Sequence, residues 1–123
     1  MLLLFLIPFR MFGQSKNASS PVQGTASFYH DGFEGQETAS GELFQTKKLT
    51  AASNKFNLQS WVRVTNLRNN KSVIVRIIDR MHPRMAKRGR IVDLSLKAAK
   101  RIKMLGEGLA KVKVELVPTG TEE

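Results

Sequence analysis

The chain has 123 residues, enough for one domain, and its 41% hydrophobic content supplies one modest core. It contains no cysteine, so disulfides and thiol catalysis are excluded and no thiol is present for lipid attachment. A formal charge of +10 raises the local concentration of anionic partners but does not choose among nucleic acid, lipid headgroups and an anionic cell wall.

Residues 2–9 form an apolar run without an acid, followed by Gly13, Gln14 and Ser15. This has the character of the core and cleavage zone of a secretory signal, although no Lys or Arg precedes the run and no Ala-x-Ala follows it. The run is too short to span a bilayer as a helix. Export with cleavage between about residues 12 and 20 is expected. A polar linker should fill residues 15–23, and the folded domain should occupy residues 24–118.

Residues 25–29 alternate and make a short first strand; Gly32, Gly35 and Gly41 then break up a long loop. Residues 49–52 are a second short strand. Residues 61–67 are rich in β-formers, with Val62 and Val64 on one face and Arg63 and Thr65 on the other. Residues 68–71 make a turn in which Asn69 and Asn70 tolerate positive φ. The return strand, 72–78, is almost continuously apolar and should be buried on both faces. Residues 80–90 are expected to be a basic loop, and Ile91 and Val92 a short strand. Ser95 or Asp93 caps a helix that buries Ala98, Ala99, Ile102 and Leu105, exposes Lys97, Lys100, Arg101 and Lys103, and stops at Gly106. Residues 111–117 alternate, with Val112, Val114 and Leu116 inward. Many short strands with one short helix before the last predict a mainly β fold, a small closed barrel.

Asp79 ends an apolar strand beside Arg80. A carboxyl so placed serves acid chemistry, or braces the fold by pairing with Arg80 or accepting backbone N–H bonds. Asp93 is read as a helix cap or strand-end brace, and Trp61 as packing. One of Phe28 and Tyr29 faces a groove while the other enters the core. His30 and His82 are too isolated to hold a metal, which needs about four clustered ligands; no metal or other cofactor is expected.

Six ordered segments carry a family resemblance: Gly24-Thr-Ala-Ser-Phe-Tyr29; Phe33 and Gly35 with Thr38-Ala-Ser-Gly-Glu42; Leu49-Thr-Ala-Ala52; Val62-Arg-Val-Thr-Asn66; Val75-Arg-Ile-Ile-Asp-Arg80; and Ile91-Val-Asp-Leu-Ser95. Over residues 24–117 they resemble the double-psi β-barrel domain of the rare lipoprotein A (RlpA-like) proteins. The resemblance implies a six-stranded double-psi barrel, related in shape to a domain of expansins. It implies action in the bacterial envelope, in the periplasm or outside the cell, on peptidoglycan glycan strands. The implied activity is lytic transglycosylation of the MurNAc–GlcNAc bond, in which the sugar's own C6 hydroxyl displaces the leaving group and a 1,6-anhydro end forms.

By motif position the family's functional acid falls on Asp79 and its glutamate on Glu42. Its third polar residue is a histidine directly after Thr-Ala-Ala; here that position is Ser53, which cannot titrate near neutral pH. The Asp-Arg-Gly-Pro turn becomes Asp79-Arg-Met-His-Pro83, and His82 is a candidate to swing in as a replacement. Tyr29, Thr38, Ser53, Arg80 and His82 are the expected substrate contacts. A monomer is expected. A non-catalytic, expansin-like glycan-binding module is the alternative, because such a module does not need the histidine. Nucleic acid is disfavoured as a partner, since no aromatic residues are interleaved along the basic stretches.

Overall fold

The computed structural model describes residues 21–123, so the expected leader and most of the linker lie outside the described residues. The elements in chain order are β1 (Val22–Phe28), a 3₁₀ turn (Asp31–Phe33), β2 (Thr50–Ala52), β3 (Trp61–Asn66), β4 (Ser72–Asp79), α1 (Pro83–Lys87), β5 (Arg90–Leu94), α2 (Leu96–Arg101) and β6 (Ala110–Val117). The six strands close into a barrel in the order β1-β5-β2-β4-β3-β6. β1/β5 and β2/β4 are parallel; the other four pairs are antiparallel. Among the described residues, no helix is long and apolar enough to cross a membrane.

The alternation in the strands explains the interior. Val62 and Val64 of β3, Val112 and Val114 of β6, and Val75 and Ile77 of β4 are all fully buried. Ala98, Ala99 and Ile102 of the α2 segment and Phe56 join the same core cluster. β1 crosses β5 closely at Gly24: a Cβ there would lie 2.7 Å from Ile91 Cγ2, so the crossing requires glycine. Asn70 takes φ 61° in the β3–β4 turn, where the sequence places two asparagines.

Three local expectations are corrected. Residues 80–90 are not all loop: Pro83, at the first helical position, opens α1, and His82 caps it by accepting the Arg84 N–H on Nδ1 at 3.0 Å. α2 stops well before Gly106, because Lys103 turns left-handed at φ 56° and the Lys103 and Met104 amides bond back to Lys100 and Ala99. That turn buries Met104 completely and leaves Leu105 38% exposed. Leu116, expected inward, is also exposed, although its partner across the sheet, Val62, is fully buried.

Candidate active site

Two register shifts shape the outer face of the barrel. Ala51 pairs with Ile77 but Ala52 pairs with Asp79, so Ile78 is the extra residue of a β-bulge. The bulge brings Asp79 onto the same face as Arg76, and both reach the loop carrying residues 38–42. On the other side of β2, Ala52 pairs with Asp93 of β5, and Asp93 pairs with Ser27 of β1. Ser27, Asp93, Ala52 and Asp79 therefore form one row across four strands.

Asp79 is half-buried and accepts three hydrogen bonds. The Ala39 and Arg80 amides donate to Oδ1 at 3.0 and 2.8 Å, and the Tyr29 hydroxyl donates to Oδ2 at 2.6 Å. Burial first, then the bond to Asp79 and the charges of Asp79 and Asp93, push the Tyr29 phenol well above its ordinary value. Tyr29 therefore stays a donor across the range in which proteins work. Its ring is stacked on Phe44 at 4.2 Å and meets Phe33 edge-on at 5.3 Å, and Tyr29 is only 7% exposed. Tyr29 is thus the buried member of the Phe28–Tyr29 pair. Its ring is not an open sugar platform; what it directs at the site is its hydroxyl.

Glu42 lies in a separate ionic cluster on the same side. Arg76 grips it bidentately at 2.6 and 2.9 Å, and Lys48 stands at 4.0 Å. The Arg76 hydrogen bonds hold the Glu42 carboxyl below the usual range. Thr38 is a loop brace, its hydroxyl donating to the Glu42 carbonyl at 2.6 Å.

Three other expected contacts are engaged elsewhere. Arg80 does not pair with Asp79; its guanidinium donates to the Ser53 and Phe56 carbonyls at 2.5 and 2.6 Å. His82 is held outside as the cap of α1. Ser53 is fully buried, donating to the Ile91 carbonyl at 2.8 Å and accepting from the Lys55 amide at 3.1 Å, so its hydroxyl has no surface to offer a ligand. Met81 is buried with Ala52, Tyr29 and Phe44, and Asn54 clamps the Met81 backbone from both sides.

Residues 21–114 match the lytic transglycolase family. The chain belongs to that family. It is 49% identical over 104 residues to the endolytic peptidoglycan transglycosylase RlpA of Pasteurella multocida, covering 84% of this chain and 34% of the relative. It is 50% identical over 92 residues to the protein of that name from Pseudomonas aeruginosa, covering 75% and 26% respectively. The chain thus matches about a third or less of these relatives' length. The Streptomyces papain inhibitor superposes with a TM-score of 0.64 at 19% identity, over 81% of this chain and 96% of that one. An expansin of Clavibacter michiganensis gives 0.63 at 18%, over 83% and 52%. These two likenesses identify the double-psi barrel.

Within this lytic transglycolase barrel, sequence reasoning missed Arg76, and of the two roles it offered for Asp93 the structure removes the helix cap. Arg76 sits in an apolar strand, where its lone charge was the available signal for a buried partner. Asp93 is not the α2 cap; Ser95 is, accepting the Ala98 amide at 3.3 Å. Asp93 instead lines a cavity of about 190 Å³ with Ser27, Tyr29, His30 and Arg90. A wider cavity of about 430 Å³, between Thr46, Lys47 and α2, has no carboxyl in its wall.

Proposed function

We propose that this chain acts on peptidoglycan glycan strands as a lytic transglycosylase, cleaving the MurNAc–GlcNAc bond and leaving a 1,6-anhydro end. One observation carries the reading: in a barrel of this family, the carboxylate at the end of β4 is half-exposed and oriented by three donors. Membership of the lytic transglycolase family and the names of the relatives support the reaction class.

The reaction needs a group to protonate the leaving glycosidic oxygen and a group to accept the C6 hydroxyl proton. Asp79 is held where it can take part in this transfer. All three of its partners are donors, the arrangement an accepting carboxylate needs. Glu42 is kept ionised by Arg76. That suits it to hydrogen-bonding sugar hydroxyls and to steadying positive charge at C1, not to donating a proton. The apolar run at residues 2–9 supports delivery to the envelope, in the periplasm or outside the cell.

Incubation with glycan strands stripped of peptide, followed by mass spectrometry, tests the reading. Anhydro ends are expected, and Asp79→Asn should reduce them by about a hundred- to ten-thousand-fold while strand binding persists. A second reading, a glycan-binding module without turnover, is favoured by one feature: the family's histidine position is held by Ser53, which is buried, and His82 is engaged as a cap. Strand binding without anhydro ends is the result that would select it.

A further inference from the structure

We propose that Asp93 is a second catalytic residue, the one that donates a proton to the glycosidic oxygen from the wall of the cavity beside Tyr29. The inference rests on the transglycosylase reading above and gives its two proton transfers to two different carboxyls.

The row across the sheet brings these carboxyls together. Asp93 and Asp79 both pair with Ala52, from its opposite sides. Adjacent strands lie about 4.8 Å apart, so the two Cα atoms stand roughly 10 Å apart with their side chains on the same face. Only the small Ala52 side chain intervenes in that row. Tyr29 spans the gap: the residue lines the Asp93 cavity and its hydroxyl binds Asp79. A glycan lying along this row would have one carboxyl on each side of Ala52.

The two acids differ in their surroundings. Asp79 is surrounded by donors. Among the described residues, the one hydrogen bond to the Asp93 side chain comes from Ser27, to Oδ1 at 3.0 Å, which leaves Oδ2 unengaged. Around Asp93 are Ser27, Tyr29 and His30 from the β1 end, Arg90 on its own strand, Asp79 across β2, and Met85 from α1. Burial raises the Asp93 carboxyl to about 6, and the Asp79 charge adds to this. The Ser27 bond and the charges of Arg90 and His30 oppose it. A carboxyl held towards its protonated form beside a second carboxyl surrounded by donors is an arrangement that suits a paired acid and base.

The step balances as follows. The Asp93 carboxyl proton passes to the glycosidic oxygen, and the C1–O bond breaks with its electron pair going to that oxygen. The C6 oxygen forms the new bond to C1, and its proton passes to Asp79. Exchange with water restores both groups, and nothing else is consumed.

The test uses the full chain, stripped glycan strands, and kcat/KM for anhydro-end release between about pH 4.5 and 8. A general acid works only while protonated, so wild-type release should decline as pH rises through about 6. Asp93→Asn should cut release by about a hundred- to ten-thousand-fold with strand binding kept. Ser27→Ala removes a bond that lowers the Asp93 pKa, so it should move the declining limb to higher pH. A merely structural Asp93 would not respond in that way. Release by Asp93→Asn at the wild-type rate overturns the assignment and leaves the transglycosylase reading intact. Should Asp93→Asn fail to fold, an unmoved limb in Ser27→Ala overturns it equally. A wild type that yields no anhydro ends overturns the transglycosylase reading, and this assignment with it.

Discussion

The Tyr29 hydroxyl and Asp79 Oδ2 lie 2.6 Å apart, joining the end of β1 to the end of β4. Tyr29 is the only tyrosine in the chain, so its titration can be followed by absorbance without interference from other phenols. Burial and the neighbouring Asp79 charge disfavour the phenolate, so no tyrosinate band should rise near the ordinary value of 10.0 while the protein stays folded. A band midpoint at 10 in folded protein would contradict the geometry. Tyr29→Phe keeps the stack on Phe44 and removes only the bond. It should cost about 1.5–3 kcal/mol of stability, the range for a hydrogen bond to a charged group. Anhydro release should fall by up to about a hundredfold as Asp79 loses its fixed orientation.

Glu42 and Arg76 give a prediction with the opposite pH sense. The folded Glu42 pKa lies below its ordinary 4.5, so the pair stabilises the protein above that value. The contribution disappears as pH falls through the folded pKa. Glu42→Gln should therefore cost about 1 kcal/mol at neutral pH, as a partly exposed bidentate pair does. Once pH has fallen through the folded Glu42 pKa, the variant and the wild type should melt together, because a protonated glutamate gives Arg76 no more than glutamine does. A cost that persists unchanged through that fall in pH would point to packing instead of charge.

The barrel was legible because alternation is a property of neighbours in sequence. β3 and most of β6 follow it residue by residue, and the apolar run of β4 correctly signalled a strand buried on both faces. α1 was not legible: its five residues carry no apolar period, and only Pro83 marks its start. The contacts of the candidate site residues were not legible. Asp93-Leu94-Ser95 offers two possible caps, and a partner 66 residues away, Ser27, decides what Asp93 does. Likewise nothing beside Arg80 in sequence shows that it turns from Asp79 to the carbonyls of residues 53 and 56.

Lys103 is the residue the helix boundary reading overlooked. It occupies the left-handed position of a Schellman turn at φ 56°, where glycine carries no Cβ penalty. Lys103→Gly should raise stability by about 0.5–1 kcal/mol, the relief of strain exceeding the added freedom of the unfolded chain. Lys103→Val should lower it, since a β-branched residue resists positive φ. Thermal melts of the two variants should bracket the wild type.

Ser53 and Met81 are predicted to be coupled. Ser53 is fully buried, and Met81 packs beside Ala52 over the same end of β2. Ser53→His alone should overpack this corner and cost about 1–3 kcal/mol, without adding turnover, because the ring has no free volume. Met81→Gly alone should cost about 2–5 kcal/mol by opening a cavity. The double variant should cost less than the sum of the two, as one change fills what the other empties. A double-mutant cycle measures this, and strict additivity would show that the two side chains do not compete for the same space.

Asp93 closes the set with the clearest pH signature. Its carboxyl is raised from 3.8 to about 6, chiefly by burial. The folded state therefore binds a proton more tightly than the unfolded chain between those values, and stability falls as pH rises through that window. At pH 7 the buried charge costs on the order of 1–3 kcal/mol relative to a neutral side chain. Asp93→Asn removes that charge and can still accept the Ser27 hydroxyl on its amide oxygen. The variant should be more stable than the wild type at pH 7, and the gain should shrink to near zero by pH 4, where both side chains are neutral. Denaturant melts at the two pH values measure it directly. A variant less stable at pH 7 would mean that the Asp93 charge is held by favourable contacts, against the weak solvation its surroundings provide.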